Sequence, residues 1–388
     1  MSDGKNKNPD DQPEDNRDGF ERFADFISDG FNRLGNYKPG SETADARVFF
    51  RHARNNDVAA ITKMLDDGFD VTTHNMGGQT ALHMAAQHNA VDVMSALLDR
   101  GMDPLAGMRD MPKRTAIDVA VDFGRAEAVT LLAKRGGLTP QATGLSGIHR
   151  ACEKGKAGVV KALIAAGVDC NAVDDGGVTP LIVALRAGQK DVAATLLALP
   201  DVVSAASTAV AADTGRTALH YAAARGALDL VKLMGTAARV DLDRPDNKGD
   251  TPLLLTVKNG HVDIIRYLAG QGVDMNRVIG DETPLMCAIG AAAAQEVVPC
   301  LLSLGADPEL RVGDRATTPL IAAVQARNIF AVRALLTAKA DPKKLDSLSR
   351  SALFYARTRE MRDIVAVLED SLRNRGMHHN NPKPRGGI

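Results

Sequence analysis

Histidine is the residue type in this chain best suited to catalysis or metal binding. Seven histidines are scattered through the middle of the chain, at His52, His74, His83, His88, His149, His220 and His261. None belongs to an HExxH pair, and the chain contains neither a nucleophile elbow nor a phosphate-binding glycine loop. The adjacent pair His378-His379 offers only two ligands, which make a poor metal site. The sequence therefore predicts no catalytic residue, no bound metal and no cofactor, and hence no enzyme.

Four cysteines, Cys152, Cys170, Cys287 and Cys300, show neither redox nor zinc-ligand spacing. Free cysteine is commonly a buried packing residue, so we interpret all four as reduced thiols. The chain begins Met-Ser-Asp-Gly-Lys without an apolar stretch behind it, and it contains no run of eighteen apolar residues. These features predict a cytoplasmic protein without a membrane span; export without a cleavable signal peptide is the alternative.

Three of the scattered histidines, His83, His149 and His220, belong to a phrase that recurs about every 33 residues: a hydroxyl residue, a proline or small residue, an aliphatic residue and a variable one. Ten copies can be aligned, and they begin at Arg47, Thr80, Thr115, Ser146, Thr179, Thr217, Thr251, Thr283, Thr318 and Ser351. Successive spacings stay between 31 and 38 residues. A fixed period of this length indicates an array of stacked units, since one such unit cannot bury its apolar face alone.

Each copy predicts a turn followed by two helices. In the second copy Thr80 is suited to the N-cap, where its side chain can accept a hydrogen bond from an unpaired amide of the first turn. Proline after threonine, found in four copies, costs nothing there because its missing amide would be unpaired anyway. Val93 and Leu97 belong to the apolar stripe of a second helix. Gly101 follows this helix at the position where a left-handed C-terminal cap is expected.

Two further features recur in a fixed order after the phrase. One is a pair of aliphatic residues: Leu97-Leu98, Leu163-Ile164, Leu196-Leu197, Leu301-Leu302 and Leu335-Leu336. The other is a glycine-x-aspartate ending, as in Gly101-Met102-Asp103. The whole pattern, from Arg47 to about Leu372, resembles the ankyrin repeat. The resemblance implies an all-α fold, an ankyrin-type solenoid of about ten helix-turn-helix repeats with projecting loops.

The chain departs from the family pattern at the histidine of the phrase Thr-Pro-Leu-His. That histidine is present only at His83, His149 and His220; elsewhere the position holds Asp118, Ile182, Leu254, Met286, Ile321 or Phe354. We expect these copies to lose a polar tie between neighbouring loops. The first copy lacks the cap phrase and the last is followed by charged residues, so both are expected to be terminal caps that face water.

Charge divides the chain into four segments although the net charge is only -1. We predict an acidic disordered tail over 1–17, an amphipathic helix and linker over 18–46, the array over 47–372 and a basic flexible tail over 373–388. Residues 1–46 carry six basic and eleven acidic residues, whereas residues 371–388 carry four basic and no acidic ones. The array is neutral, which argues against binding to nucleic acid.

Phe20, Phe23, Ile27, Phe31 and Leu34 fall at helical spacing ahead of the first copy. One interpretation is a helix that covers the open apolar end of the array. The alternative is a docking helix for the groove of a partner protein or, less in keeping with its acidic polar face, for a membrane surface.

In ankyrin repeats partners contact the projecting loops and the concave face made by the first helices. The resemblance therefore selects the residue before each phrase and those seven or eight positions after its start. These candidates are Gln79, Gln87, His88, Arg114, Phe123, Glu153, Lys154, Arg186, Arg216, Arg225, Asp250, Lys258 and Glu282. The basic residues between Lys154 and Lys258 leave room for an acidic partner segment, including the acidic tail of the chain itself. A solvated surface with incidental charge is the alternative.

Two longer connections break the regular spacing, at Met108 to Lys113 and at Val202 to Gly215. Insertions of this kind map to loops and often carry binding specificity, although a longer loop is also tolerated at little cost. The function favoured by the sequence is a scaffold or adaptor that binds another protein through its concave face and loops. A regulator or inhibitor of a partner enzyme, and an effector delivered into another cell, are the alternatives.

Overall fold

Short helices follow one another in pairs along the computed structural model, which describes residues 44–138, 145–206, 209–236 and 240–378. Each copy of the phrase corresponds to one repeat unit, and the units are numbered 1 to 10 along the chain. The first helices of these units are α1 Ala44–Arg54, α3 Ala81–His88, α5 Ala116–Asp122, α7 Leu145–Glu153, α9 Pro180–Ala187, α12 Ala218–Ala224, α14 Pro252–Asn259, α16 Pro284–Gly290, α18 Pro319–Gln325 and α20 Ala352–Thr358. The second helices of the ten units are α2 Val58–Asp66, α4 Val91–Asp99, α6 Ala126–Lys134, α8 Ala157–Ala165, α10 Lys190–Leu197, α13 Leu228–Gly235, α15 Val262–Gly270, α17 Ala294–Ser303, α19 Ile329–Thr337 and α21 Arg362–His378. The short α11, Pro200–Ala206, follows α10. Within the described residues the regular structure is all helical, which confirms the predicted solenoid of ten units.

The hydroxyl residue of the phrase fixes the start of the first helix. Thr179 and Thr251 have extended backbones, and their hydroxyls accept hydrogen bonds from the amides three residues later, at 3.4 and 3.2 Å. The proline that follows each of them occupies the first helical turn, where no amide partner is needed. The phrase is therefore a helix-start signal, as its residue types predict.

Helices of the same kind stack on each other in two layers. The first helix of each unit contacts the first helix of the next unit, and second helices contact second helices in the same way. One continuous apolar core runs between the layers. Within the aliphatic pairs the first residue, such as Leu301, is fully buried, whereas the second, such as Leu302, is half-buried. Leu197 is an exception because it is only 2% exposed.

Buried histidines join adjacent units. Nε2 of His83 lies 3.1 Å from the Arg114 carbonyl oxygen, and the corresponding atoms of His149 and His220 lie 2.9 and 3.2 Å from carbonyls of their next units. A carbonyl only accepts, so Nε2 of His83 carries the proton, and Nδ1 accepts from the amide of Thr80 at 3.4 Å. Burial lowers the pKa of His83 to about 4, which keeps the ring neutral.

Asp118 corrects one sequence expectation. This residue replaces the histidine of unit 3, yet the tie between units is not lost there. Its carboxylate accepts from the amide and hydroxyl of Thr115 at 3.0 and 2.9 Å, and its other oxygen pairs with Arg150 of unit 4 at 2.6 Å. The shorter aspartate keeps the link because a long arginine on the next helix reaches back to it. The apolar replacements in other units cannot accept or donate such a bond.

The first helix and the second long connection differ in detail from the sequence expectation. The helix α1 covers Ala44–Arg54, so it includes the three residues before the first copy of the phrase, where Arg47 replaces the hydroxyl residue that caps the helix in other copies. The segment that bears Phe20, Phe23, Ile27 and Phe31 lies outside the described residues. The stretch from Val202 to Gly215 is not loop throughout, since its first part belongs to α11, which a proline opens.

Candidate functional site

A groove with a volume of about 510 Å³ opens along the first helices of units 1 to 3. The lining residues come from α1, α3, α5 and the loops that precede α3 and α5. They are Phe50, Arg51, Arg54, Gly77, Gln79, Met84, Gln87, His88, Met108, Met111, Arg114, Val119 and Phe123. We refer to this surface as the N-terminal groove. Its size falls within the range of roughly 300 to 1,000 Å³ seen for ligand pockets.

Repeat geometry explains which side chains reach the N-terminal groove. Arg51, Met84 and Val119 each stand four residues after the start of their phrase, and Arg54 and Gln87 stand seven after it. Residues at these offsets share one face of a helix. Stacking three units therefore lines up an apolar floor with polar residues at its margin.

The inserted loop before α5 supplies two methionines to the N-terminal groove. Met108 is buried and Met111 is 39% exposed. The loop folds back tightly, since the amide of Met108 donates to the Arg114 carbonyl at 2.9 Å. A Cβ atom on Gly107 would lie 1.8 Å from the Pro112 carbonyl oxygen, so only glycine fits there. Methionine adapts its shape easily and is common on surfaces that bind varied partners.

The charged residues of the N-terminal groove are all basic. Arg51, Arg54 and Arg114 line it together with His88, and no carboxylate is among the described residues of its lining. Burial, followed by the charges of Arg54 and Arg125, lowers the pKa of His88. Within the described part of the chain, neither Arg51 nor Arg54 has an ion-pair partner. The groove therefore combines apolar surface with the positive charges of Arg51 and Arg54, which the described residues do not neutralise, whereas Arg114 pairs with Asp122.

Several predicted partner-binding residues pair with one another inside their own units. In three units, the side chain just before the phrase contacts the side chain seven positions after the start of the phrase. Gln79 donates to Gln87 at 3.3 Å, Arg114 pairs with Asp122 at 2.9 Å, and Lys258 pairs with Asp250 at 2.6 Å. The contact joins the loop to the end of the first helix, so these side chains help to hold the loop in place.

Four residues of units 6 and 7, Arg216, Asp246, Asp250 and Lys258, form what we call the aspartate network. Arg216 Nε lies 2.8 Å from Asp246 Oδ2, and Arg216 Nη2 lies 3.8 Å from Asp250 Oδ2. The Asp246 side chain is 1% exposed. Burial alone would raise the pKa of Asp246, but hydrogen bonds from Arg216 and from two backbone amides outweigh it and lower the pKa. The aspartate network therefore links units 6 and 7, and its two cations balance its two carboxylates.

The remaining predicted residues are dispersed along the array. Lys154 pairs with Asp122 at 2.9 Å, and Arg225 donates to the Arg186 carbonyl of the preceding unit. Glu153 and Glu282 are exposed. The structure thus gathers Gln79, Gln87, His88, Arg114 and Phe123 in the N-terminal groove and leaves the other candidates outside it.

The cysteines fit the packing interpretation in part. Cys152 and Cys300 are buried, whereas Cys170 and Cys287 are half-buried. Burial raises the pKa of Cys152 to about 12 and that of Cys287 to about 11, which suppresses the reactive thiolate. In the described ranges no three histidine, cysteine or acidic residues cluster as metal ligands would. Every described helix also falls short of the length and hydropathy that a membrane crossing requires.

Sequence reasoning missed five groove residues: Phe50, Arg51, Arg54, Met84 and Val119. It did single out the long connection before unit 3, which contains both Met108 and Met111. One signal could have found a missed residue, because the offset of seven residues, applied to the first copy at Arg47, selects Arg54. Met84 and Val119 follow only from the stacking of three units.

Comparisons with known proteins agree with this architecture. Residues 49–143, 148–246, 199–279 and 219–312 match the family model described as Ankyrin repeats (3 copies). The B-cell lymphoma 3 protein homolog of Mus musculus is 28% identical over 227 residues, which are 56% of this chain and 49% of that protein. The E3 ubiquitin-protein ligase KEG of Arabidopsis thaliana is 24% identical over 313 residues, 76% of this chain and 17% of that one.

A solved structure gives a further comparison. The crystal structure of the ankyrin repeat domain of Bcl-3, described as a unique member of the IkappaB protein family, is 22% identical with a TM-score of 0.49. The similarity covers 61% of this chain and 99% of that one. Against the two relatives above, this chain spans about half the length of the first and 17% of the second.

Proposed function

The chain belongs to the ankyrin repeat family, and on that premise we propose that it is a scaffold or adaptor that binds another protein through the N-terminal groove and the loops beside it. Ankyrin repeat proteins generally mediate protein–protein interaction, and the repeat is typically a non-enzymatic module.

The observation that carries the proposal is the contrast between apolar and paired surface. Protein interfaces are anchored by apolar and aromatic side chains in desolvated pockets, while exposed ion pairs add little affinity. The N-terminal groove offers Met84 and Met111 beside Arg51 and Arg54, which lack ion-pair partners within the described ranges. The aspartate network already uses its charges to join units, so a partner gains little from them. We therefore favour the groove over the middle of the array.

The test is capture of partners by the full chain and by surface variants of it. In one variant Arg51→Glu, Arg54→Glu and Met111→Asp place negative charge in the N-terminal groove. The matched control carries Arg266→Glu and Arg333→Glu, exposed positions on the second helices α15 and α19. Partners are identified by proximity labelling and then confirmed with purified protein by calorimetry.

We expect a partner that binds the full chain and the control with equal affinity. Groove substitution should weaken it by on the order of a hundredfold, because an apolar anchor and two favourable charges are reversed. Circular dichroism of each variant must match that of the unmodified chain. A partner that binds the groove variant as tightly as the unmodified chain would remove the groove from its interface, and the proposal would then fail.

A further inference from the structure

The N-terminal groove has two chemically different ends. The loop end is apolar, since Met108 and Met111 belong to the loop that precedes α5. The helix end is basic, because Arg54 is the last residue of α1 and His88 is the last residue of α3. Met84 lies between the two ends, in the middle of α3. A partner therefore meets apolar surface at one end of the groove and positive charge at the other.

Arg125 adds a further cation to the helix end. Its Nε donates to the carbonyl oxygen of Gln87 at 2.8 Å, which places its guanidinium beside the groove. The charges of Arg54 and Arg125 both act on His88, whose pKa is lowered first by burial and then by these two cations. Within the described ranges neither arginine pairs with a carboxylate. The ends of α1 and α3 each carry a partial negative charge of about half an elementary charge, which is less than the two arginines supply, so the helix end stays positive.

The length of the first helices sets the distance between the two ends. The eight residues of α3 span about 12 Å, because a helix rises 1.5 Å per residue. An extended segment covers this distance in about four residues at 3.3 Å each, whereas a helical one needs about eight. An isolated helix of eight residues is not stable in water, so its ordering would cost affinity. The dimensions therefore favour a short extended segment as the occupant.

We propose that the N-terminal groove accepts an extended segment of a partner protein, in which a large apolar side chain enters between Met84 and Met111. Carboxylates about four residues from that side chain lie against Arg54 and Arg125. A segment with only one of these features would leave either the apolar floor open to water or the arginines unpaired. This inference rests on the proposed function, because it names the chemistry of the partner at the same site.

Titration of the full chain with synthetic peptides tests this arrangement. The probe is the fluorescent peptide Phe-Ser-Gly-Ser-Glu-Glu with uncharged, blocked termini, and a second peptide has the reverse order. Fluorescence anisotropy measures the dissociation constant. We expect one of the two orders to bind, and serine in place of its phenylalanine should weaken binding at least about tenfold, because the apolar anchor is removed. Glutamine in place of glutamate should weaken binding by about two- to fivefold for each charge, as expected for exposed ion pairs.

A series of peptides tests the distance between the anchor and the carboxylates. The first glutamate stands one, four or eight residues from the phenylalanine. We expect the tightest binding at a separation of four, by about fivefold over the others, because only this spacing matches both ends of the groove. An optimum at eight would mean that the occupant is helical. Equal affinity at all three separations would mean that the carboxylates do not contact the helix end, and either result would overturn the proposal.

A charge exchange tests the contact with the arginines. The variant carries Arg51→Glu and Arg54→Glu, and it should bind the peptide with two glutamates on the order of tenfold more weakly, since attraction becomes repulsion. A peptide with lysines in place of both glutamates should bind this variant more tightly than the glutamate peptide does, which reverses the order seen with the unmodified chain. The matched control carries Arg266→Glu and Arg333→Glu and should bind both peptides as the unmodified chain does. Circular dichroism of both variants must match that of the unmodified chain.

The remaining outcomes also decide the question. Binding that depends on the phenylalanine but not on the glutamates would mean that the groove recognises apolar side chains alone. Peptide binding that the groove substitutions do not change, or no binding of either order, would overturn the proposal. Self-association of the chain that the groove substitutions abolish, measured by sedimentation, would mean that the groove receives a second copy instead. A partner protein that is lost on groove substitution would still support the proposed function after any of these results, so the two proposals can fail separately.

Discussion

The N-terminal groove and the aspartate network lie on the same layer of first helices, yet they use charge in opposite ways. In the groove, Arg51 and Arg54 have no ion-pair partner within the described residues and stand beside methionines. In the network, Arg216 and Lys258 are held by Asp246 and Asp250. The position of a charged residue on the first-helix face therefore does not by itself indicate a binding role. What distinguishes the two regions is whether the charge is already satisfied inside the array.

A polar residue that joins two repeats contributes to stability and to the spacing of the units. A cation without such a partner contributes little to stability and is available for recognition. The comparison thus assigns stability to the network and binding to the groove. Four measurements test that assignment.

The largest effect should come from the apolar core that both regions share. Leu197→Ala removes a side chain that is 2% exposed and should lower the free energy of unfolding by about 2 to 5 kcal/mol. Leu302→Ala, at a half-buried position, should cost less. Urea unfolding measures both. If the two variants lose equal stability, the burial assigned to the aliphatic pairs is wrong, and the second helices face the core with a different side.

Acidification should destabilise the region of the groove through His83. Burial lowers the pKa of this histidine to about 4, below the ~6.5 of an exposed one, so the unfolded chain binds the proton more tightly. The stability that the neutral ring contributes is complete above pH ~6.5 and is lost as the pH falls toward 4, by roughly 3 kcal/mol.

The measurement is the free energy of unfolding across this pH window for the unmodified chain and for His83→Gln, which should have a flatter profile. His220, whose Nε2 lies 3.2 Å from the Asp250 carbonyl oxygen, also has a pKa lowered by burial, but the charge of Asp246 opposes the shift. We therefore expect His220→Gln to flatten the profile less than His83→Gln does. The opposite order would show that Asp246 does not limit the pKa shift of His220.

Removal of Asp246 should affect stability although the residue belongs to a polar cluster. Its carboxylate accepts from Arg216 at 2.8 Å and from the amides of Lys248 and Asp250 at 2.8 and 2.9 Å. Asp246→Ala leaves these donors unpaired and should cost about 1 to 3 kcal/mol. Asp246→Asn keeps one acceptor oxygen, which can still accept from the two backbone amides, and should cost less. Unchanged urea unfolding of the alanine variant would show that the network does not contribute more to stability than the groove cations do.

The smallest effect is expected for the groove cations. Arg51→Ala and Arg54→Ala should each change the free energy of unfolding by no more than about 0.5 kcal/mol, because neither arginine has an ion-pair partner in the described chain. The same unfolding assay applies, with Asp246→Ala as the sensitive reference. A loss comparable to that of the reference would identify these arginines as structural.

Much of the fold could be predicted from the sequence, because its determinants are local. Thr179 and Thr251 cap helices through bonds that span three residues, and Gly101 takes the left-handed conformation expected at its position, with φ of 84°. The family and the ten-unit solenoid, which follow from the same local signals, are confirmed. Asp118 shows where local reasoning stops, since its partner Arg150 lies 32 residues away.

The candidate site could be predicted only in part. Offsets from the phrase found Gln79, Gln87 and Arg114, since every unit repeats the same geometry. They could not separate these residues from Arg216 or Lys258, because the identity of a charged residue does not reveal which carboxylate pairs with it in the fold. The boundaries of the terminal segments and the docking role of Phe20 and its neighbours stay predictions.

The repeat, the helix starts and the apolar stripes can be derived from the sequence, since each depends on residues within about one turn of helix or on a fixed period. The pairing of charges on the first-helix face cannot be derived in this way, because it depends on how neighbouring units stack. Ion pairs across repeats depend on distances of a few ångströms between residues about 30 positions apart. Stacking three units also created the N-terminal groove, a surface that no single repeat contains.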